Sequence, residues 1–470
     1  MTTGPIETDY LVVGAGATAM AFVDTLLTES EAQIVIVDRH HRPGGHWNDA
    51  YPFVRLHQPS AFYGVASREL SSWTKDKTGL NEGLYGLASG AEVLAHFDQV
   101  MQQRFLPSGR VRWFPMSEVS VGPGTVHTFN SLTSGETCQV QVRRKLVDAT
   151  HARTEVPSTR APKYAIAPGV RCAPLNDLPR IERPHAAYTV VGSGKTGMDA
   201  CLWLLQNGVP PSRIRWIMPR DAWLMDRANH QPGADDFERS IGSSIAQFEA
   251  VIEAASVADL FARLEAHGEL LRIAPEVEPT TYRCAIVSQG ELAQLRRIED
   301  VVRLGHLKAI EPSRILLERG TLAADPDTLY IDCSAGAIQM PPPVPVFDGS
   351  HINLLFVRTC QPVFSAALIA FVESHYDDPV LMNALCTPVP SPELPIDWLR
   401  MLAASVANAG RWRKEQKLGA WLAACRLNFF TAMLRGVDMS DTAKTDRLKE
   451  SSAKAGAAAQ KASALLAASG

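Results

Sequence analysis

Two segments of the chain share one pattern of hydrophobic and polar positions. A short apolar run leads into a glycine-rich turn at residues 10–19 and again at residues 188–197, and each turn is followed by a helical pattern. A further apolar run follows each helix, at residues 34–37 and 214–218. This order predicts two β-α-β units, each with parallel strands and a right-handed crossover.

The rest of the chain predicts a mixture of short strands and helices. Short β-rich runs at 111–113, 125–129 and 139–142 precede a proline-rich connector at 157–184. Residues 235–300 are predicted to be mostly helical, with strands at 301–304, 315–318, 328–332 and 352–357 and a helix from about 363 to 375. Residues 395–436 are predicted to be helical. The last 30 residues, rich in Ala, Lys and Ser, predict either a solvated helix or a frayed tail.

Composition excludes several classes of protein. Of the 470 residues 46% are hydrophobic and 20% are charged, as in an average globular enzyme, and the net charge is −4. That charge gives no reason to expect nucleic acid or an anionic membrane surface as a partner. The first nine residues lack a basic stretch leading into an apolar one, and the most apolar segment, 352–372, is interrupted by Arg358. We therefore expect a cytoplasmic protein that does not span a membrane, and leave a homo-oligomer open.

Eight cysteines are scattered along the chain without any Cys-x-x-Cys pair. A metal cluster or a redox-active disulfide of the usual spacing is therefore not expected, and we predict free buried thiols and no metal site.

The first glycine turn has the chemistry of a nucleotide site. Gly14 permits the tight turn, Gly16 allows a pyrophosphate to approach the helix N-terminus, and Ala19 is the small residue that lets the helix pack on its strand. Asp38 ends the next strand, where a carboxylate can accept hydrogen bonds from ribose hydroxyls.

The following residues resemble the flavin-containing and Baeyer–Villiger monooxygenases. Residues 38–47 are similar to their acidic residue followed by Gly-Gly-x-Trp, with Gly44, Gly45 and Trp47. Residues 51–63 resemble the Tyr-Pro-x-x-Arg run of the Baeyer–Villiger enzymes, although His57 stands where an acidic residue is expected. Their Phe-x-Gly-x-x-x-His fingerprint, which should precede the second turn, is absent from residues 150–187. The enzyme subclass therefore stays open.

The resemblance implies FAD on the first turn. It also implies that the strand-end residues 146–150 and 330–335 link two domains, and that the helix after residues 358–362 begins at the flavin pyrimidine ring. The residues expected to bind FAD are Gly14, Gly16, Thr18, Ala19, Asp38, Arg39, Gly45, His46, Trp47, Arg55, Thr150 and Gln361.

The second turn carries the full three-glycine spacing and is followed by Arg220 in place of an acidic residue. A guanidinium matches the 2′-phosphate of NADPH, whereas a carboxylate would hold the 2′-hydroxyl of NADH. An ordinary surface arginine paired with Asp221 is the alternative. The residues expected to bind NADPH are Gly192, Gly194, Lys195, Thr196, Gly197 and Arg220.

These features predict an α/β fold with two Rossmann-like domains, one for FAD and one for NADP, with β-rich connectors and a helical C-terminal extension. We expect the FAD domain at 1–170 and 331–390, the NADPH domain at 185–330 with a helical insertion at about 226–300, and the extension at 391–470.

The expected function is an NADPH-using monooxygenase that oxygenates a small organic substrate with O₂ through a flavin peroxide. His57 and Gln58 are the candidate catalytic hydrogen-bond donors, and a loop-packing role for both is the alternative. An NADPH-dependent flavoprotein reductase or dehydrogenase, and a non-catalytic nucleotide-binding interaction protein, are the other functions considered.

Overall fold

The computed structural model describes residues 4–122, 124–151, 154–334 and 344–468. Its strands, in chain order, are β1 Ile6–Val13, β2 Ile34–Val37, β3 Gly64–Val65, β4 Arg68–Glu69, β5 Val111–Phe114, β6 Ser117–Ser120, β7 Val126–Ser131, β8 Thr137–Asp148, β9 Ala165–Ile166, β10 Arg171–Pro174, β11 Ala187–Val191, β12 Ile214–Ile217, β13 Ala222–Asp226, β14 Leu270–Leu271, β15 Thr281–Val287, β16 Asp300–Val302, β17 Leu307–Glu311, β18 Arg314–Leu317, β19 Gly320–Ala323, β20 Thr328–Asp332, β21 Phe347–Asp348 and β22 His351–Asn353.

The helices follow the same chain order. They are α1 Ala17–Glu29, α2 Gly90–Val100, α3 Lys195–Gln206, α4 Phe237–Glu253, α5 Val257–Ala266, α6 Gln289–Leu295, α7 Pro362–His375, α8 Pro379–Leu385, α9 Pro395–Trp412, α10 Gln416–Ala424, α11 Phe429–Met433 and α12 Thr442–Ala468.

The first sheet is built on the first β-α-β unit. Its strand order is β21-β22-β8-β1-β2-β5, and the pairs from β22 to β5 are parallel. The antiparallel pair β6 and β7 extends from β8. Every residue of β2 is buried, as expected for a parallel strand covered on both faces. Helices α1 and α7 pack against each other on this sheet.

The second sheet is built on the second β-α-β unit. It has the order β10-β20-β11-β12-β16, and all of its strands are parallel. In each sheet, the carboxyl ends of the parallel strands therefore lie at one edge, and the glycine turn and its helix begin there. Open α/β sheets bind ligands at this edge. The predicted α/β fold with two Rossmann-like units is confirmed.

The interval 226–300 differs from its predicted helical character. It contains α4, α5 and α6, but β14 and β15 also lie within it and pair with β13. Seven residues of this interval, from Thr281 to Val287, form a nearly completely buried strand. The predicted strand at 352–357 is also shorter, since β22 ends at Asn353.

The C-terminal segment forms the long helix α12, which packs against α4 and α9. Its buried residues Ala458, Ala462 and Leu465 recur at the spacing of one helical face. The tail is thus a helix with one face covered, rather than a solvated helix or a frayed end. In the described part of the chain, no helix combines the length and the apolar character needed to cross a membrane.

Candidate functional site

The first glycine turn leaves the N-terminus of α1 free of side-chain caps. Gly14 has a φ of +98°, and Gly16 is the N-cap residue in extended backbone. In the part of the chain that the structure describes, no side chain bonds to the first backbone N–H groups of α1, which include that of the half-buried Thr18. These donors and the positive end of the helix dipole form an anion site of the kind that binds pyrophosphate. Ala19, fully enclosed, lets α1 lie close to the sheet.

The Gly-Gly loop packs directly on this turn. The N–H of Gly44 donates to the carbonyl of Ala15 at 2.8 Å. A Cβ built on Gly45 would lie 2.9 Å from the Cα of Gly16, and Gly45 itself has a φ of +55°. Only glycine satisfies both the close approach and the backbone conformation. The paired glycines therefore serve to bring the loop against the turn.

Asp38 holds the same turn from the end of β2. Its Oδ2 accepts from the N–H of Ala15 at 2.5 Å, and its Oδ1 accepts from the backbone and side chain of His40 at 2.7 and 2.9 Å. Since a carboxylate has about four acceptor positions, about one is left for a ribose hydroxyl. The other ring nitrogen of His40 contacts Asp49 at 2.9 Å. Hydrogen bonding to Asp38, opposed by partial burial and reinforced by Asp49, raises the pKa of His40 to about 9.

Trp47 and His46 form an aromatic wall beside the turn. Trp47 is buried, and its Nε1 donates to the hydroxyl of Tyr63 at 2.9 Å. The ring of His46 stacks on Trp47 with centroids 5.4 Å apart. Burial lowers the pKa of His46 to about 4, so the ring is neutral near pH 7.

Thr150 packs on the first glycine turn, and Gln361 stands at the start of α7. A Cβ built on Gly14 would lie 3.0 Å from the Thr150 methyl group, and the Thr150 hydroxyl donates to Asp148 at 2.7 Å. Gln361 is the N-cap residue of α7, and its Oε1 is buried without a hydrogen-bond partner among the described residues. An unpartnered buried acceptor is costly unless a ligand supplies the donor.

Two other residues predicted to bind FAD make their side-chain contacts elsewhere. Arg39 is exposed, with its Nε 3.8 Å from Glu118. Arg55 donates to the carbonyl of Leu87 at 3.2 Å and lines a separate cavity of about 570 Å³ beside α3.

The second glycine turn is tighter than the first. Gly192 has a φ of +127°, and a Cβ on it would meet the carbonyl oxygen of Cys333 at 2.4 Å. A Cβ on Gly197 would lie 2.1 Å from the carbonyl oxygen of Gly192, so the third glycine sets how closely α3 approaches the turn. Gly194 is exposed, and among the described residues no atom lies within 4 Å of a Cβ built on it and no side chain caps the start of α3.

Lys195 and Thr196 occupy the first turn of α3. Thr196 is half-buried. The Lys195 ammonium pairs with Asp199 one turn along the helix, and the Tyr51 hydroxyl donates to the other Asp199 oxygen at 2.5 Å. Lys195 and Asp199 line the cavity that Arg55 also lines. The positive charge of Lys195 thus faces α3 and this cavity.

Arg220 lies just beyond the end of β12, as predicted, but its partner was not expected. Its Nη2 is 2.8 Å from Oε1 of Glu393, whereas Asp221 is held by two hydrogen bonds from Arg303 at 2.8 and 3.0 Å. The structure therefore contradicts the alternative in which Asp221 neutralises Arg220.

His57 joins a buried ionic network that the sequence analysis missed. Its Nδ1 accepts from the N–H of Ile286 at 3.3 Å, and its carbonyl accepts from Nε of Arg227 at 3.0 Å. Burial, with the nearby charges of Lys195 and Arg227, lowers the pKa of His57 to about 3. Because Nδ1 accepts, the proton of this neutral ring is on Nε2. Gln58 beside it is half-buried.

Arg227 is the centre of that network and is completely buried. It donates to Asn81 at 3.0 Å and to Glu291 at 2.7 Å. Burial would raise the pKa of Glu291, but the charges of Lys195 and Arg227 and the hydrogen bonds from Ser288 and Arg227 hold it below its usual value. Because its partners are distant in sequence, no local pattern marked Arg227.

The prediction of free thiols is wrong for two cysteines. Cys284 in β15 and Cys360 immediately before Gln361 form a disulfide across 76 residues of sequence. The other six cysteines are free. No Cys-x-x-Cys pair marks this bond, because the fold brings together two cysteines that are distant in the chain.

Comparison with known proteins places the chain in a family. No family model matches it. It is 52% identical over 439 residues to the "Uncharacterized protein Rv2000" of Mycobacterium tuberculosis and the "Uncharacterized protein Mb2023" of Mycobacterium bovis, covering 92% of this chain and 80% of each relative. The chain belongs to the family of these mycobacterial proteins.

Solved structures show what fold this family has. A polycyclic ketone monooxygenase from Thermothelomyces thermophila is 11% identical with a TM-score of 0.52, covering 98% of this chain and 89% of that one. A steroid monooxygenase bound to NADP is 14% identical with a TM-score of 0.51, covering 78% and 85%. The family therefore has a flavin monooxygenase-like fold, which confirms the resemblance seen in residues 38–63 at the level of the fold.

Proposed function

We propose that the chain is an FAD-dependent, NADPH-using monooxygenase that oxygenates a small organic substrate. The observation that carries the proposal is the first turn, where an uncapped helix N-terminus lies under the Gly44–Gly45 loop and beside Asp38. We also propose that residues 1–170 and 331–390 form the FAD domain, residues 185–330 the NADPH domain, and residues 391–470 a C-terminal extension.

The residues present fit FAD. The free N–H groups of α1 would hold the pyrophosphate, and the remaining acceptor position of Asp38 would hold a ribose hydroxyl. Trp47 offers an apolar face, and the buried Oε1 of Gln361 lacks a donor among the described residues. The N-terminus of α7 would stabilise negative charge on a bound group.

The second turn fits a nicotinamide dinucleotide. The exposed Gly194 and the start of α3, which no described side chain caps, suit a second pyrophosphate, and Arg220, just beyond the end of β12, would recognise the ribose of the adenosine half. When bound, FAD would supply hydride transfer from NADPH and reaction with O₂, with one oxygen atom entering the substrate and the other leaving as water.

The chain's own residues would position and desolvate the reaction. His57 is neutral, its Nδ1 accepts from Ile286, and the buried Arg227 fixes its backbone. It is therefore suited to donate a hydrogen bond through Nε2 and unsuited to act as a cationic acid near pH 7. Gln58 is a second candidate donor in the same loop.

The test begins with the absorption spectrum of the purified chain and with anaerobic flavin reduction by NADPH. Reduced protein is then exposed to ¹⁸O₂ with a panel of steroids, polycyclic ketones and organic sulfides. Labelled product supports the monooxygenase. Reduction of an added acceptor, with no label in any product, would indicate a reductase or dehydrogenase. A chain that binds nucleotide but whose flavin is not reduced by NADPH would indicate the non-catalytic function.

A further inference from the structure

Two arginines that are distant in sequence converge on one carboxylate beside the second nucleotide unit. Arg220 follows β12, and its Nη2 is 2.8 Å from Oε1 of Glu393. Arg283 in β15 contacts the same oxygen and also donates through Nε to Oε2 at 2.7 Å. The pair of guanidinium groups thus surrounds a single anionic group.

Glu393 is held in place by its backbone as well as its side chain. The N–H of Tyr282 donates to its carbonyl at 3.0 Å, and its own N–H donates to Asp397 in the first turn of α9 at 3.0 Å. The segment before α9 therefore carries a carboxylate from the C-terminal extension to the end of β12. Hydrogen bonds from Arg283, which outweigh partial burial, lower the pKa of Glu393 and keep it ionised near pH 7.

The cluster of Arg220, Arg283 and Glu393 is partly exposed to solvent and carries a net positive charge. The side chains of Arg220, Arg283 and Glu393 are 40%, 25% and 45% exposed, so a phosphate can reach both guanidinium groups. Two positive charges face one negative charge. A sugar phosphate, with up to two negative charges and three acceptor oxygens, would match both arginines better than the resident carboxylate does.

We propose that Arg283 is, with Arg220, a second ligand of the NADPH 2′-phosphate, and that Glu393 occupies this phosphate site in the nucleotide-free chain. The inference rests on the proposed use of NADPH. Nucleotide binding then displaces the Glu393 side chain, and the competition lowers affinity for NADPH without affecting NADH. The two arginines make the site selective for NADPH over NADH, while competition from the Glu393 carboxylate keeps the binding of NADPH reversible.

Binding is measured by titration calorimetry of the full chain with NADPH, NADH and 2′,5′-ADP. Glu393→Gln keeps the size of the side chain and removes its charge, and should tighten NADPH and 2′,5′-ADP about tenfold while leaving NADH unchanged. Arg283→Gln should weaken the same two ligands about tenfold, also in the Glu393→Gln background. Glu265→Gln is the matched control, because Glu265 makes a similar two-point contact with Arg272 in the same insertion.

Separate outcomes overturn the inference and the proposed function. If the wild type binds NADPH tightly and selectively, but Glu393→Gln and Arg283→Gln bind it equally well, the inference fails and NADPH use stands. An equal change for NADPH and NADH in the Glu393 variant would also overturn it. If neither nucleotide binds to the wild type or to any variant, and NADPH does not reduce the flavin, both fail. Tighter binding in Glu265→Gln would show that removal of any acidic charge suffices, which again overturns the site.

Discussion

Gly45 lies against Gly16 so closely that a Cβ on Gly45 would be 2.9 Å from the Cα of Gly16. The Gly-Gly loop and the phosphate turn, whose residues Gly45 and Gly16 are 29 positions apart in sequence, are therefore one structural unit. A Cβ on Gly16 itself would make only an ordinary contact, 3.7 Å from the Cα of Gly45. The two glycines thus have different roles. Gly45 is needed for the fold of the loop, and Gly16 is needed for access to the helix N-terminus.

Gly16→Val should give a folded protein that lacks FAD. The backbone at Gly16 is extended, with φ −71° and ψ 179°, so valine adopts it without strain. Its side chain would stand where a pyrophosphate must approach α1. Flavin content per chain and far-ultraviolet circular dichroism measure the two effects. Gly410→Val in α9, where a Cβ meets open space, is the control and should keep its flavin. Full flavin occupancy in Gly16→Val would contradict this position for the pyrophosphate.

The bridge from Asp38 through His40 to Asp49 predicts a pH-dependent stability. The pKa of His40 is raised from 6.5 to about 9 in the folded chain. A raised pKa contributes stability that is complete below about pH 6.5 and is lost as the pH rises through about 9. His40→Gln should therefore lower the thermal midpoint at pH 6 more than at pH 9.5.

The quantity compared between variants is the thermal midpoint at pH 6 minus the thermal midpoint at pH 9.5. His267→Gln changes an exposed histidine and is the control for the substitution itself, and the reference is the wild-type difference between pH 6 and pH 9.5. A His40→Gln protein with that same difference would show that the bridge does not contribute to stability.

The disulfide predicts a defined thiol count. Alkylation of the denatured, unreduced protein should label six cysteines, and prior reduction should raise the number to eight. Cys360→Ser should lower the free energy of unfolding by about 2–4 kcal/mol, because the bond closes a long loop in the unfolded chain. Cys138→Ser, which removes a half-buried free thiol, is the control. Eight labelled cysteines without reduction would contradict the bond.

The features predicted correctly from the sequence are those that local pattern specifies. Each glycine turn required a strand before it, a helix after it and glycine at fixed positions, and these are all within 20 residues of one another. Strand β15 was missed because its pairing with β13 spans about 60 residues, and such tertiary contacts decide whether a short apolar run becomes a strand. The Arg227–Glu291 pair and the disulfide depend on contacts of the same long range. The roles of the individual site residues remain predictions.

Arg220→Ala should separate NADPH from NADH. A charge-assisted contact with the 2′-phosphate is worth about 1.5–3 kcal/mol, so its loss should raise KM for NADPH roughly ten- to a hundredfold. Because Glu393 already neutralises part of the Arg220 charge, we expect a value near the lower end of that range. KM for NADH should hardly change, since NADH has no phosphate to lose. Arg215→Ala, which removes an arginine of β12 that pairs with Asp300 of β16, should leave both nucleotides unaffected. Equal losses with NADPH and NADH in Arg220→Ala would mean that this arginine supports the fold or the shared pyrophosphate, and the assignment of NADPH would be withdrawn.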